Sequence, residues 1–462
     1  MANREKSFSP RNVWKAALAG WGWLVLTSSP LQAQQGTSYF QSNEASMMGG
    51  AVSALSHEAG AVWYNPAGLG ANSRGRLQLS NFAGVVRIRS IDAGLVTLGS
   101  DQRQEEDLNA TEATFVAPAF TSAIRLRPGL SAGFGFFVTA FDSMLLRSGS
   151  NQTGTDNDRL LTRLEADFSV TRYHTGPAIG WQVHPRLRIG LSLLGIYETE
   201  TNRGLVGLDV ESEARALRAN LFLQAIDNPT RVGLESVLGL QWEALDRLHL
   251  ALVFRSPRLL VHESIDQTNF LSINGSVPGQ VEATNIFQFD LSPRRPMSFG
   301  FYSPLRLTGG MALALGKTWW TFEGDFSPGF DKSSGNIDYQ PTWNLRSGIK
   351  FPVDERLSLG VGLFTDRNPL GVQRDFPRIR TDYYGLSLGG RYDTVVRLAE
   401  GQGPSNLVFS FTAGLRYALG VGKFTQFTFD LRPDAPNLFR TDTSSDVYFH
   451  DISAYLGSEL LF

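Results

Sequence analysis

Leu407-Val408-Phe409-Ser410-Phe411-Thr412-Ala413-Gly414-Leu415-Arg416-Tyr417 decides the fold. Read by alternate residues, it separates Leu407, Phe409, Phe411, Ala413, Leu415 and Tyr417 from Val408, Ser410, Thr412, Gly414 and Arg416. A period of two sends successive side chains to opposite faces of a β-strand. The same division recurs in both directions along the chain. From Leu130 to Ala140, Leu130, Ala132, Phe134, Phe136, Val138 and Ala140 oppose Ser131, Gly133, Gly135 and Thr139, with Phe137 as the exception. Leu187, Ile189, Leu191 and Leu193 oppose Arg188, Gly190 and Ser192, and Leu248, Leu250, Leu252 and Phe254 oppose His249, Ala251, Val253 and Arg255. Leu357, Leu359, Val361 and Leu363 oppose Ser358, Gly360 and Gly362. One face is large and apolar and the other is small or polar.

Alternation alone does not choose between water and lipid as the outer solvent. Strand length and connections do. Several stretches run about ten residues, as tilted membrane strands do, where globular strands stop near ~5 to 6. Tight connections at Arg127-Pro128-Gly129, His184-Pro185-Arg186, Ala244-Leu245-Asp246-Arg247, Gly316-Lys317-Thr318 and Val353-Asp354-Glu355 alternate with long polar ones over 92–111, 147–158, 202–230, 263–302, 327–340 and 366–380. That asymmetry belongs to outer-membrane barrels, with short periplasmic turns and longer outer loops. Strands are expected to begin near Leu77, Ala113, Leu130, Leu161, Leu187, Val232, Leu248, Leu305, Trp319, Trp343, Leu357, Tyr383, Leu407 and Val447, an antiparallel transmembrane barrel of about fourteen. The pattern slips near Phe82, the last inner turn over 401–405 is longer than the others, and the glycine-rich run 419–423 blurs the start of the last outer loop. At the end, Ile452, Ala454, Leu456 and Leu460 share the parity of the terminal Phe462. That ending resembles the assembly signal of outer-membrane barrels.

Composition agrees. Among 462 residues, Gly 47, 11% aromatic and 19% charged residues suit many turned strands better than packed helices. A formal net charge of -2 gives no reason for a nucleic-acid partner. The cysteine count of zero excludes disulfides, thiolate metal sites and thiol nucleophiles. Ahead of the strands, Arg4, Lys6, Arg11 and Lys15 precede an apolar run over 16–26 and then Leu31-Gln32-Ala33. This has the form of a cleaved signal peptide over 1–33, with the mature chain starting at Gln34 and bound for the outer membrane. The apolar run is shorter than the ~20 residues a membrane-anchoring helix needs.

Between that point and the first strand, Ala45-Ser46-Met47-Met48-Gly49-Gly50-Ala51-Val52-Ser53-Ala54-Leu55, Ser56-His57-Glu58-Ala59-Gly60-Ala61-Val62-Trp63-Tyr64 and Asn65-Pro66-Ala67-Gly68-Leu69 are small and apolar without alternation. Short helices broken by glycine fit this composition, and a barrel lumen would bury them. Residues 34–74 are therefore expected to form a plug, and 75–462 the barrel. Gly49, Gly50 and Ala51 followed by Asn65 to Leu69 resemble the opening of the FadL family, outer-membrane transporters of long-chain fatty acids and other hydrophobic compounds. The family often carries Asp where this chain has His57-Glu58.

The resemblance implies a fourteen-stranded barrel with a hatch in its lumen, gated around Gly49, Gly50, Asn65, Pro66, Ala67 and Gly68. It also implies substrate entry through an apolar groove between the third and fourth outer loops and sideways release into the membrane. Those loops carry Leu221, Phe222, Leu223 and Ile226 in one, and Phe270, Leu271, Ile273, Ile286, Phe287 and Phe289 in the other. The run 213–226 suits an amphipathic helix. These clusters either form the groove or pack the loops over the barrel mouth. Pro66 and Asn65 serve either gating or a purely structural turn. Arg188, Arg255, Arg346 and Arg416 either orient a substrate carboxylate or pair with lumen acids such as Glu323 and Asp325.

The partners implied are a hydrophobic ligand and outer-membrane lipid, with the chain a monomer and no cofactor or metal. Catalysis is not expected. His57, His174, His184, His249, His262 and His450 stand in no nucleophile motif, and His57-Glu58 lacks the second histidine of a zinc-binding helix. The alternatives are a porin for polar solutes, which the plug opposes, and a structural or secretion-associated barrel on the same scaffold. The sequence leaves the substrate within the hydrophobic class unspecified.

Overall fold

The computed structural model describes residues 39–98, 103–153, 159–212, 217–276, 283–287, 299–331, 338–369, 379–397, 406–430, 439–440 and 444–462. The expected signal peptide lies outside them. The described residues form a closed antiparallel barrel of fourteen strands. Strand β1 spans Arg76–Leu98, and β2 has an outer segment Arg103–Val116 and an inner one Ala119–Arg127. Then come β3 Leu130–Thr153, β4 Arg159–His184, β5 Leu187–Ser212 and β6 Leu217–Leu245. Strand β7 is split into Leu248–Arg255 and Leu259–Ser276, and β8 into Ala283–Phe287, Gly300–Phe301 and Arg306–Leu315. Strands β9 Thr318–Ser327, β10 Thr342–Pro352, β11 Leu357–Asp366, β12 Ile379–Arg397, β13 Asn406–Thr425 and β14 Ser444–Leu461 complete the wall. The pairing of β1 with β14 closes it, so no free sheet edge is left at the seam. At that seam Gly75 and Phe462 exchange backbone hydrogen bonds at 2.9 and 3.0 Å.

The apolar face found in the sequence points outward. Leu193, Leu252, Leu363, Phe411, Leu415 and Leu456 are all exposed on the barrel exterior, as a lipid-facing surface requires. Two aromatic belts bound this surface. Tyr173 and Trp181, Trp343 and Phe351, and Tyr384 and Tyr392 stand at opposite edges of the apolar surface on their strands, each pair eight residues apart. At ~3.4 Å per residue and a tilt near ~40°, that separation climbs ~20 Å, close to the ~25 Å apolar band of an outer-membrane barrel. Tyr173 also stacks on Phe136 and Tyr197, with ring centroids 5.6 and 6.4 Å apart, so the outer belt is continuous across β3, β4 and β5.

Two irregularities in the alternation have structural causes. The slip near Phe82 is a register shift in β1 between Leu79 and Phe82. Phe137 breaks the pattern because it turns inward, where it is fully buried. The β3–β4 register then shifts between Val138 and Ala140.

Much of what reads as long outer loops is strand. β3, β4, β5 and β6 run 24, 26, 26 and 29 residues, where ~9–11 cross a bilayer. The described parts of 92–111, 147–158, 202–230 and 263–302 are thus largely continuations of the wall beyond the membrane band. The amphipathic helix expected over 213–226 is overturned from residue 217 onward, where β6 is extended. Leu217, Ala219, Leu221, Leu223 and Ala225 alternate with polar or aromatic neighbours, and β6 pairs on both sides, with β5 and β7. A helix here would satisfy its own backbone but leave the facing edges of β5 and β7 unpaired, whereas the extended strand pairs with both. The glycine-rich run 419–423 is likewise strand, within β13.

Candidate functional site

Residues 39–72 fill the inner part of the lumen, nearly all of them buried. Helix α1 (Asn43–Met47) is capped by Ser42, whose Oγ accepts from the Ala45 amide at 3.2 Å. Gly49 and Gly50 then take positive φ of 62° and 82°, the left-handed region that ends helices cheaply only at glycine. Helix α2 (Ala61–Tyr64) leads to a 3₁₀ turn, Pro66–Ala71. Asn65 caps it, accepting from the Ala67 amide at 3.1 Å while donating to the carbonyls of Ser53 at 3.0 Å and Leu240 at 3.2 Å. Pro66 at the first position of the turn surrenders no needed N–H.

The small inward residues of the strands are where this segment touches the wall. A Cβ on Gly190 would lie 2.2 Å from Pro66, one on Gly239 2.0 Å from the Asn65 side chain, and one on Gly362 2.2 Å from the Gly49 nitrogen. The expected hatch residues are therefore brought together against the wall: Gly49 at Gly362 and Ser387, Gly50 at Arg346, Asn65 and Pro66 at Gly239 and Gly190. Ala67 and Gly68 are buried in the same turn, with Gly68 packed on the Ser56 carbonyl.

Polar contacts fix the segment as firmly. Lys350 binds Glu44 at 2.7 Å, Ser53 donates its amide to Glu323 at 3.0 Å, and Arg391 bridges Glu58 and Glu459. Burial raises Glu44, but Lys350 outweighs it and holds the carboxyl below its ordinary value. Burial, then the neighbouring Glu459, push Glu58 up to about 7 in spite of Arg391.

Of the arginines flagged in the sequence, Arg188 pairs with Glu243, Arg346 with Glu323 and Asp325 at 2.8 and 2.6 Å, and Arg255 with Glu235 at 2.6 Å. Arg416 lies over the rings of Phe364 and Phe40, at 4.8 and 5.8 Å. Pairing with lumen acids is thus the fate of three of the four.

Two adjoining cavities lie in the lumen. The first, partly open, is mainly apolar and is walled by Met144, Phe168, Val170, Ile379, Tyr383 and Phe449, with Arg89 and Asp142 also lining it. The second, also partly open, is polar. Trp63, Arg172, Arg255, Arg258, Arg306 and Arg346 line it, with Glu235 and Asp366 the carboxylates. The segment 367–369 separates them, Asn368 facing the first and Arg367 and Pro369 the second. Sequence reading missed the apolar lining. Its signal was present as large residues of inward parity, Phe168, Val170 and Phe449, on a face otherwise small or polar.

Beside the apolar cavity the β2–β3 ladder is interrupted. The inner segment of β2 pairs with β3 up to Ala119 and Phe137. Pro118 interrupts β2 there, having no N–H for a ladder. Beyond it the outer segment pairs with β1, and β3 from Val138 to Thr153 pairs with β4. Among the described residues no ladder joins the two across the break.

The expected groove residues come together farther out, on paired strands. Leu223 stands opposite Leu271, Leu221 opposite Ile273, and Leu271 in turn opposite Phe287. The rings of Phe222 and Phe270 meet edge to face with centroids 5.9 Å apart, and Ile226 is half-buried on the same strand. Phe289 lies outside the described residues.

No protein-family model and no curated protein matches the sequence. Solved structures do. A FadL homologue of Pseudomonas aeruginosa aligns over 92% of this chain and 99% of its own, with a TM-score of 0.56 and 10% identity. The toluene transporter TodX of P. putida aligns over the same shares, with a TM-score of 0.55 and 13% identity. At such identities the likeness is one of fold. The chain has the fold of the FadL-type outer-membrane barrels, as the resemblance of its opening motif implied.

Proposed function

We propose that this protein is a monomeric outer-membrane channel for hydrophobic compounds, long-chain fatty acids or similar lipophiles, exported by cleavage after Ala33. Ligand is collected at the apolar outer strands around Phe222 and Phe270, held in the lumen pocket, and released sideways where the ladder between β2 and β3 is interrupted. The observation that carries this reading is the apolar pocket walled by Phe168, Val170, Ile379 and Phe449 inside a barrel whose inner end is filled by 39–72. Each methylene removed from water there contributes ~0.8 kcal/mol, so apolar walls suffice to extract a lipophile.

The arginine-rich cavity next door favours an acidic head on that lipophile. Arg306 and Arg367 form no ion pair among the described residues and remain available for a carboxylate. A filled inner lumen opposes the porin alternative, since water-borne solutes need a continuous aqueous path. The deciding experiment is uptake into proteoliposomes of labelled oleate, toluene and a disaccharide. Entry of oleate with exclusion of the disaccharide supports the proposal; entry of the disaccharide alone sinks it. Comparable entry of toluene and oleate would remove the acidic head from the reading and leave the hydrophobic channel.

A further inference from the structure

Where the outer segment of β2 parts from β3, the edge of β3 is satisfied by side chains instead of a ladder. Gln41 donates to the Val138 carbonyl at 3.0 Å. Tyr39 and Arg87 donate to that of Phe141 at 2.7 and 3.1 Å, and Arg89 to that of Ser143 at 2.6 Å. Unpaired backbone groups in a membrane wall are costly, so an edge left open needs such substitutes. These four residues approach from the plug and from β1, and they cap β3 whether or not β2 is near.

Glu112 is different because it belongs to the facing strand. From β2 its carboxylate accepts the Leu145 amide at 3.1 Å and the Ser143 hydroxyl at 3.0 Å. Arg89 stands 3.9 Å away. A second crossing, from Ser148 to Glu106, lies five residues farther along β3 and away from the pocket. Ser143 borders the apolar cavity. Glu112 thus reaches across the break at the level of the pocket, and its side chain is partly exposed, so water can take over its hydrogen bonds when the strands part.

We propose that Glu112 is the tie that sets the width of this opening, a positioning residue for ligand exit that controls how fast, and not how tightly, a ligand is held. The proposal rests on the sideways release given under the proposed function. It assigns to β2 and β3 a hinge-like separation at Pro118, with Glu112 let go from Ser143 and Leu145 in the open form.

The test uses the full mature chain in proteoliposomes and the neutral probe 1-N-phenylnaphthylamine, whose fluorescence rises when it enters a bilayer. Replacing Glu112→Ala is expected to raise the rate of probe delivery about tenfold, the loss of two hydrogen bonds to a charged group being involved, with equilibrium binding unchanged. Because the chain has no cysteine, Glu112→Cys with Ser143→Cys supplies the only thiols. Joining them with a short, reducible bis-thiosulfonate should abolish delivery while binding persists, and dithiothreitol should restore it. Delivery by the cross-linked protein at the reduced rate would overturn the role of Glu112 and leave the channel reading standing. Absence of both binding and delivery in the unsubstituted protein would overturn the channel reading itself.

Discussion

The guanidinium of Arg255 lies 4.0 Å above the ring of Trp63 and donates at 2.7 Å to the carbonyl of that same residue. One wall side chain thereby holds both the ring and the backbone of α2, while Glu235 balances its charge. Trp63 is clamped from its other sides by Phe137 and His174, with centroids 5.1 Å away in each case. Removing one partner of a buried charge pair costs about 3–5 kcal/mol. Arg255→Ala should therefore loosen the plug and raise single-channel conductance. Arg255→Lys, which keeps the charge but lacks a flat fork able to stack and donate together, should give an intermediate conductance. Equal conductance in all three proteins would show that α2 is held elsewhere.

The glycines of the inner face yield a second test. A side chain at Gly190 or Gly362 would collide with plug backbone at 2.2 Å, whereas Gly309, on the outward face of β8, has nothing within 4 Å and serves as the control. Gly362→Val or Gly190→Val should displace the plug and expose 39–72 to protease added to solubilised protein. Gly309→Val should leave it protected. Protection of all three would mean the plug does not rest on these strands.

This pair of contacts also shows how far the sequence could be read. The lipid-facing side was legible because a bilayer tolerates no polar interruption over some ten residues, so Phe409, Phe411 and Leu415 carry the pattern unaided. The inner face was legible only as small. That Gly190 and Gly362 are small because Pro66 and Gly49 lie on them requires contacts across 124 and 313 residues of chain, which periodicity does not record. The polar clamps are equally remote, Arg391 reaching Glu58 across 333 positions. The run beginning at Glu213 failed for a different reason. A stretch rich in leucine and alanine satisfies both periods, and the ladders of β5 and β7 decide between them. The pocket went unseen because Phe168, Val170 and Phe449 lie on strand stretches whose inward face reads as small or polar, and Phe137, an inward departure that the alternation shows, packs the plug.

Glu58 gives the plug a pH dependence. Its carboxyl is raised to about 7, first by burial and then by Glu459, with Glu44 adding to this and Arg391 and Lys350 opposing it. A group raised in the folded state favours folding fully below its unfolded value near ~4.5 and loses that contribution as pH rises through about 7. His57 works in the opposite sense. Desolvation holds it down to about 4, so its contribution is present above ~6.5 and fades as pH falls. Of these two plug groups only Glu58 titrates between pH 6.5 and 8, and plug protection from protease should decrease there. Glu58→Gln should remove that decrease while keeping a hydrogen-bond acceptor for Arg391. A variant with the same pH profile as the unsubstituted protein would locate the titrating group elsewhere.

Phe168 on β4 and Phe449 on β14 both wall the apolar pocket. Truncating either side chain removes apolar surface from the ligand without touching the plug. A fully buried aromatic contributes about 1.5–3 kcal/mol, so Phe168→Ala or Phe449→Ala should weaken binding of a lipophile roughly ten- to a hundredfold. Val170→Asp should be worse, because an unpaired carboxylate there is either dehydrated or draws in water that competes with the ligand. Phe411→Ala, an equally large truncation on the lipid-facing side, serves as the control and should bind normally. Calorimetric titration of detergent-solubilised protein with oleate measures all four. If the Phe411 variant lost affinity as the other three did, the ligand would be associating with the barrel's outer surface and the lumen pocket would have no part in binding.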